Sequence, residues 1–419
     1  MSQLRKTLGS GMILSGISLG IQVFNFFIVN FVAQQLGTAQ FGQFGILQHD
    51  FMWFLFLRDF GMTHILMSLY QNKPDDDTKR NSFWAMVFLG LISSILFCIY
   101  TLSLRSSHPN FDAMWPLVFG IFFSPNILDW FFISEKKWKS LFLIKMTQFL
   151  IYAGIALWVL QNPSEHSILH LSIALNISHI IATAVALGLF PTKLFTRLQK
   201  NVFTFFIDQL NRSKNIAVGG FLNFFLMPIG FYALDFMYAG DRIIGIYNTS
   251  HRLIIILSGF LVHFLSSSIV HSQSGSNQKV SLKESLQFTL ILTLPIIMAV
   301  QFLGEWGLQF LYFGLDWQVD EVNWAKQNLM FFCISIAAQA FRVNYISWYV
   351  RMDKTQHYLY IFLIAALINI TVTYIGLQLG FKDYIALIVM TGEIVFSLGL
   401  WLKYVHLTRV TSTHIEDVQ

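Results

Sequence analysis

Charged residues are scarce in this sequence. Only 12% of its 419 residues are Asp, Glu, Lys or Arg, about half the share of roughly 25% that soluble domains carry. Hydrophobic residues make up 55% of the chain, and 43 residues are phenylalanine. Because one aqueous core cannot bury so much apolar surface, the composition predicts an integral membrane protein.

The sequence has only two cysteines, and it has no nucleotide-binding motif. Cys98 and Cys333 lie in apolar segments without the spacing of a disulfide framework or a metal site. No G-x-x-x-x-G-K-[ST] sequence is present, which excludes ATP hydrolysis by a Walker motif. A G-x-S-x-G match at 16–20 falls inside an apolar helix rather than in a strand-turn-helix. We therefore predict a protein that is not an enzyme and has no cofactor.

Apolar segments of spanning length dominate the chain, and each reaches the roughly 20 residues that a membrane helix needs. Twelve such segments are predicted, at 8–34, 39–62, 81–104, 113–134, 139–160, 167–190, 214–238, 244–271, 285–313, 323–350, 355–379 and 383–405. The longest polar stretch, 191–213, is the predicted linker between two six-helix lobes, residues 1–200 and 201–419. The expected fold class is all-α integral membrane.

A repeat relates the two halves. The segment 31–61 resembles 234–260, because in both an apolar helix meets a glycine-containing turn and a second apolar helix follows at once. Gly37 and Gly42 of the first copy correspond to Gly240 and Gly245 of the second. Six helices per half predict parallel repeats related by an axis along the membrane normal, as in many transporters.

Basic residues predict the orientation. If the N-terminus is cytoplasmic, the outer segments contain Arg105, Arg242, Lys326 and Lys382, and the cytoplasmic segments contain most of the other lysines and arginines. This bias predicts that both termini are cytoplasmic. The basic residues lie in short loops rather than in one patch, which excludes nucleic acid as a partner.

Ionisable residues at membrane depth are the candidate functional residues, since each costs a few kcal/mol and is usually functional or paired. His49 and Asp50 lie about 11 Å from the outer face by helical rise. By the offset of the glycine repeat, His49 corresponds to Arg252, and two such side chains suit an anionic ligand. Arg342 and Glu393 are predicted near mid-membrane.

For other charged residues, two interpretations stay open. Arg58, at the cytoplasmic end of the second segment, either binds substrate or anchors the helix by snorkelling. Lys145 and Asp129 either serve transport or form a structural salt bridge with one another. Asp235 is either an ion-coupling residue or a residue of a helix end.

A family resemblance emerges from QQLGTAQFGQFG (34–45), RDFGMTHIL (58–66) and ALDFMYAGDRIIGIYNTSHRL (233–253). These segments resemble the Leu-Gly turn, the D-x-G at the end of helix two and the helix-seven signature of Wzx-type polysaccharide-export flippases. Gln34 or Gln35 replaces the basic residue that usually precedes the turn, so a cationic role there is lost.

The resemblance implies the fold of the multidrug/oligosaccharidyl-lipid/polysaccharide (MOP) exporters, two six-helix lobes around a cavity that opens alternately to either side. It also implies an isoprenoid diphosphate-linked sugar as cargo. The twelve helices argue against the lipid II flippase branch, which has fourteen. Expected partners are the lipid-linked oligosaccharide, membrane lipids and other polysaccharide-assembly proteins.

The sequence therefore predicts a flippase of a bacterial or archaeal cytoplasmic membrane. Arg252, His49, Arg342, Arg58 and Lys145 are the predicted substrate-binding residues. Asp50, Glu393, Asp235 and Asp129 are the predicted residues for coupling to H⁺ or Na⁺. A cation-coupled multidrug or metabolite antiporter of the same fold is the alternative. A scaffold without transport activity is disfavoured by buried charges in both lobes.

Overall fold

The computed structural model describes residues 2–70, 75–106, 108–191, 200–223, 225–238, 241–274, 282–311, 317–351 and 354–416. Within these ranges the structure is helical and contains no strand. The first half comprises α1 (Ser2–Asp59), α2 (Met62–Tyr70), α3 (Asp76–Leu104), α4 (Phe111–Phe122), α5 (Asp129–Ser134), α6 (Trp138–Val159) and α7 (Ser167–Leu189). The second comprises α8 (Val202–Asn223), α9 (Ile229–Tyr238), α10 (Arg242–Ser274), α11 (Leu282–Leu311), α12 (Val319–Arg351), α13 (Thr355–Gln378) and α14 (Ile385–Glu416).

Eight stretches of the described helices are long and apolar enough to span a membrane. They coincide with the third to sixth and the ninth to twelfth predicted segments. The other four predicted segments fall largely on α1, α2, α8, α9 and α10. The chain is thus an all-helical, multi-pass membrane protein.

Helix α3 buries small polar residues and exposes aliphatic ones, which is the reverse of the pattern in a soluble protein. Leu91, Ile92 and Ile95 are exposed, whereas Ser93 and Ser94 are buried. Ser93 Oγ donates to the Phe54 carbonyl at 2.6 Å, and Ser94 Oγ donates to the Val118 carbonyl at 3.2 Å. Small polar residues therefore face neighbouring helices, where they hydrogen-bond, while aliphatic residues cover the lipid face.

The acidic run before α3 is a helix cap. Asp75 Oδ1 accepts a hydrogen bond from the Thr78 backbone N–H at 2.8 Å, while Asp76 and Asp77 occupy the first turn. Hydrogen bonding to the Thr78 side chain and backbone lowers the pKa of Asp75. These carboxylates thus stabilise the helix N-terminus, where negative charge is favoured.

The glycine turn of the first repeat is present as a kink within α1. Gly37 has φ 71° and ψ 169° there, and a positive φ suits glycine because it has no Cβ. In the second repeat α9 ends at Tyr238 and α10 begins at Arg242. Gly240 lies outside the described residues, so the second glycine turn stays a prediction.

A sharp corner ends the second predicted segment at the D-x-G sequence. Phe60 and Gly61 have φ 48° and 69°. Asp59 accepts hydrogen bonds from the Gly61 N–H and the Thr63 hydroxyl, so its side chain joins the corner to the first turn of α2. A Cβ on Gly61 would lie 2.7 Å from Cγ2 of Ile216 in α8. Glycine is therefore required here both by backbone conformation and by close packing.

Two compact units are formed, which we call the N-terminal unit (Gly20–Phe221) and the C-terminal unit (Met1–Leu19 with Leu222–Gln419). The chain passes between them within α1 and again within α8. Residues 202–213, part of the predicted linker, are helical, and 192–199 lie outside the described residues. The lobe boundary at residue 200 stays a prediction.

Candidate functional site

An interrupted helix lies at the centre of the first candidate site. Helix α4 ends at Phe122, a 3₁₀ turn covers Pro125–Leu128, and α5 begins at Asp129. Pro125 lacks an N–H and cannot continue the α-helical hydrogen bonding. The break frees backbone carbonyls inside a spanning segment, where they need other donors.

Side chains from two other helices supply these donors. Arg58 Nη2 donates to the Phe122 carbonyl at 3.2 Å. The Thr183 hydroxyl of α7 donates to the Phe123 carbonyl. The break is thus held between the end of α1 and the middle of α7.

Arg58 is fully buried, with 1% of its surface exposed. Its Nε has no hydrogen-bond partner and lies beside Gly90 of α3, 3.4 Å from where a Cβ would stand. The carboxylates of Asp59 and Asp129 lie within electrostatic range of its guanidinium. No carboxylate among the described residues forms an ion pair with it. The snorkelling interpretation is therefore wrong, because a lipid anchor keeps its head group in water.

Lys145 and Asp129 form the predicted salt bridge. Lys145 Nζ lies 2.8 Å from Asp129 Oδ2 and donates to Asn126 Oδ1 at 2.6 Å. The pair therefore joins α6 to the end of the break, so the predicted salt bridge is present, and a role of either residue in transport stays a prediction. Asp129 Oδ1 is buried without a hydrogen-bond partner.

Further polar side chains of α7 line the same region. Asn176 Oδ1 lies 3.5 Å from where a Cβ of Gly120 would stand. His179 hydrogen-bonds to Gln148 at 2.8 Å and lies within electrostatic range of Lys145 and Arg58. In this region, the buried atoms without a hydrogen-bond partner are Arg58 Nε, Ser124 Oγ, Asp129 Oδ1, Asn176 Oδ1 and His179 Nδ1. Each of these groups has capacity for a further hydrogen bond.

Asp50 lies elsewhere in the N-terminal unit and is strongly bonded. Arg105 Nε lies 3.0 Å from Asp50 Oδ2, and the Tyr100 hydroxyl donates to Oδ1 at 2.8 Å. Arg105 is the C-cap of α3, so the pair fixes the end of α3 to α1. His49, the preceding residue, is half-buried. A role of either residue in transport stays a prediction.

A second interrupted helix lies in the C-terminal unit. Helix α8 ends at Asn223, and α9 begins at Ile229 directly after Pro228. Asn369 Nδ2 of α13 donates to the carbonyls of Phe225 at 3.1 Å and Leu226 at 2.9 Å. Its Oδ1 accepts from the Gly392 N–H at 3.3 Å. One buried amide therefore satisfies the break and ties it to α14.

Arg342 and Glu393 form a buried ion pair beside this break. Their Nη1 and Oε2 atoms are 2.9 Å apart, and the residues are 9% and 1% exposed. Arg342 Nη2 also donates to Asn223 Oδ1 at 3.3 Å, and the guanidinium lies over the Phe396 ring at 5.2 Å. The two residues predicted near mid-membrane are thus brought together.

Arg252 and Asp235 lie further along the C-terminal unit. Arg252 Nε donates to Asn248 Oδ1 at 2.9 Å, and Asp235 is a buried residue of α9. Asn328 of α12 is fully buried, and neither of its amide atoms has a hydrogen-bond partner. The clamp role of Arg252 and the coupling role of Asp235 stay predictions.

Sequence reasoning located the charges but missed most of their partners. Tyr100, Arg105 and Asn223 were not singled out as partners, since each contact joins residues distant along the chain. Within the described residues, no group of three His, Cys, Asp or Glu side chains is arranged to hold a metal ion.

Comparison with known families gives one partial match. The MatE family model matches residues 250–375, less than half of the chain. No curated protein matches the sequence.

Solved structures show the fold clearly. Lipid II flippase MurJ in an inward closed conformation has a TM-score of 0.72 at 16% identity, covering 93% of this chain and 87% of MurJ. The eukaryotic MATE transporter AtDTX14 gives 0.69 at 12% identity, covering 96% of each chain. A MOP-superfamily transporter from Pyrococcus furiosus, described as having a reversed pocket polarity, gives 0.63 at 11% identity and covers 97% of each. The chain therefore has the fold of these MATE transporters and of MurJ.

Proposed function

We propose that this protein is a flippase that moves an isoprenoid diphosphate-linked oligosaccharide from the inner to the outer leaflet by alternating access. The cargo would serve the assembly of cell-surface polysaccharide. The membrane would be the cytoplasmic membrane of a bacterium or archaeon, with both chain termini in the cytoplasm. Other polysaccharide-assembly proteins and membrane lipids would be its partners.

The observation that supports an anionic cargo best is the state of Arg58. A guanidinium keeps its charge in proteins and matches phosphate oxygens with two parallel hydrogen bonds. Arg58 has one backbone acceptor, no ion-pair partner among the described residues, and a free Nε. Such a group has remaining capacity for an anion, whereas a binding site for cationic drugs calls for unneutralised carboxylates.

Coupling to H⁺ or Na⁺ would use one of the acidic residues at membrane depth. Asp50, Asp129 and Glu393 each have a basic partner. A carboxylate takes part in coupling when its partner leaves during the cycle, since only then does its proton affinity change. Cargo that competes for the basic partner provides such a change.

The alternative is a cation-coupled multidrug or metabolite antiporter. The MatE match at residues 250–375 and the similarity to AtDTX14 favour it, because both are described as MATE. The two functions predict different phenotypes. A flippase defect accumulates lipid-linked glycan, whereas an antiporter defect raises sensitivity to exported compounds.

Deletion of the gene, followed by extraction of lipid-linked glycans, tests the proposal. We expect accumulation of a diphosphate-linked glycan in the deletion strain and normal levels after complementation with the wild type. Arg252→Ala should fail to complement at normal protein yield, and Arg252→Lys should complement poorly, because an ammonium does not reproduce the two-pronged contact. Lys326→Ala, which removes an exposed ion pair with Glu305, is the matched control and should complement fully. Unchanged glycan levels together with drug sensitivity would support the antiporter instead.

A further inference from the structure

Arg342 and Glu393 come from different helices, α12 and α14, and meet in the interior of the C-terminal unit. Removing two such charges from water is costly for each ion, and their attraction offsets that cost only in part. A pair of apolar residues would often give equal or greater stability. The ion pair therefore requires an explanation beyond stability.

The surroundings keep the guanidinium available for a second acceptor. Only Nη1 contacts the carboxylate, at 2.9 Å, while Nη2 reaches Asn223 at a longer 3.3 Å. The contact is therefore less complete than a bidentate arginine–carboxylate pair such as Arg242–Glu321, with 2.7 and 2.9 Å. A diphosphate, with more oxygens and more charge, competes well for such a guanidinium.

We propose that Arg342 exchanges Glu393 for a phosphate group of the cargo, and that the released Glu393 then takes up one proton. This inference rests on the proposed function. Before exchange the guanidinium is neutralised by a carboxylate. After exchange it is neutralised by phosphate, and the carboxylate becomes a neutral acid. Release of the cargo reverses both steps, so one proton enters with each cargo bound and leaves when it departs.

The groups around the Arg342–Glu393 pair make Glu393 the titrating member. On α12 these are Arg342, which keeps its charge, and Gln339, which hydrogen-bonds to the carboxylate and does not titrate. On α8, Asn223 contacts Arg342. On α13, Tyr358 packs against Phe396 with ring centroids 5.7 Å apart. Without Arg342 as its partner, a carboxylate that is 1% exposed favours the protonated form.

The exchange is tested by measuring proton uptake during binding. Farnesyl diphosphate, a short isoprenoid diphosphate, is titrated into the full-length protein in nanodiscs, and protons are counted with a pH indicator in weak buffer. We expect one proton taken up for each molecule bound. Because binding takes up a proton, the apparent affinity should fall as pH rises, by up to about tenfold per pH unit.

Glu393→Gln removes the competing charge and the titrating group. It should take up no proton, bind with little dependence on pH and bind more tightly than the wild type at alkaline pH. Glu305→Gln, in an exposed ion pair with Lys326, should keep the wild-type proton uptake. If Glu393→Gln lowers the protein yield, Arg342→Gln combined with Glu393→Gln restores a neutral pair. This double variant should fold, bind weakly and take up no proton.

The possible failures are distinguishable. Absence of farnesyl diphosphate binding by the wild type would overturn the proposed function and the exchange with it. Binding without proton uptake, or equal uptake by Glu393→Gln, would overturn the exchange and leave the function standing.

Discussion

The basic side chains predicted at membrane depth differ in the contacts that the structure describes for them. Lys145 and Arg342 each contact a carboxylate, at 2.8 and 2.9 Å. Arg252 bonds to the Asn248 amide, and Arg58 bonds to a backbone carbonyl. Because a buried charge without a counter-ion is costly, Arg58 is the residue whose replacement tells most about cargo.

Replacement of Arg58 by methionine separates a binding role from a structural one. Methionine has a similar length and removes a buried charge, but it leaves the Phe122 carbonyl without its donor, so we expect only a modest loss of thermal stability. Glycan export should fall at least tenfold, because the anion loses its guanidinium. A large drop in melting temperature with intact export per folded molecule would assign Arg58 to structure alone. Arg212→Met, at an exposed position of α8, is the control.

How far residues were predictable depended on where their partners lie. Lys145 and Asp129 are in consecutive helices at similar depth, so their pairing followed from helical rise. The sequence predicted Asp50 at membrane depth but did not identify its partner, because Arg105 was counted only as a charge of an outer loop. The Arg342–Glu393 contact depends on how α12 and α14 pack, which hydropathy does not report.

At the scale of the helices, the sequence predicted spans well and interruptions poorly. The predicted segments 113–134 and 214–238 each contain a break, at Pro125–Leu128 and before Ile229. Both segments remain apolar on average, so hydropathy averaged along the chain does not reveal the breaks. Pro125 and Pro228 were the available signals. The tertiary partners of the freed carbonyls, Arg58 and Asn369, were not readable from the sequence.

The corner at Gly61 provides a test of backbone conformation. Gly61→Ala places a side chain at φ 69° and against Ile216. The positive φ alone costs roughly 1–2 kcal/mol, so we expect a clearly lower melting temperature in detergent. Gly154→Ala is the matched control, because nothing lies within 4 Å of its Cβ position in α6 and alanine favours helix. An equal melting temperature for both variants would contradict the strained corner.

For the whole molecule, the orientation predicted from basic residues is tested by cysteine labelling. In a chain with Cys98 and Cys333 replaced by serine, Glu165→Cys and Gln318→Cys should react with an impermeant thiol reagent in intact cells. Asp208→Cys, at an exposed position of α8, should react only after permeabilisation. Labelling of Asp208→Cys in intact cells would reverse the topology.

The fold of the whole molecule is shared by structures described as MATE transporters and as the lipid II flippase MurJ. Fold alone therefore does not choose between drug export and lipid flipping. The choice depends on charges within the helices, and in the described residues the acids Asp50, Asp129 and Glu393 have basic partners while Arg58 has no carboxylate.

Movement of a lipid-linked oligosaccharide between leaflets tests the central claim most directly. Proteoliposomes that contain only this protein are loaded with an isoprenoid diphosphate-linked oligosaccharide, and the share of glycan reached by an added glycosidase is followed over time. The account predicts that wild-type protein exposes the inner-leaflet pool and that Arg58→Met protein does not, while Lys326→Ala protein matches the wild type. An inner pool that stays protected with wild-type protein, under both a proton and a sodium gradient, would contradict it.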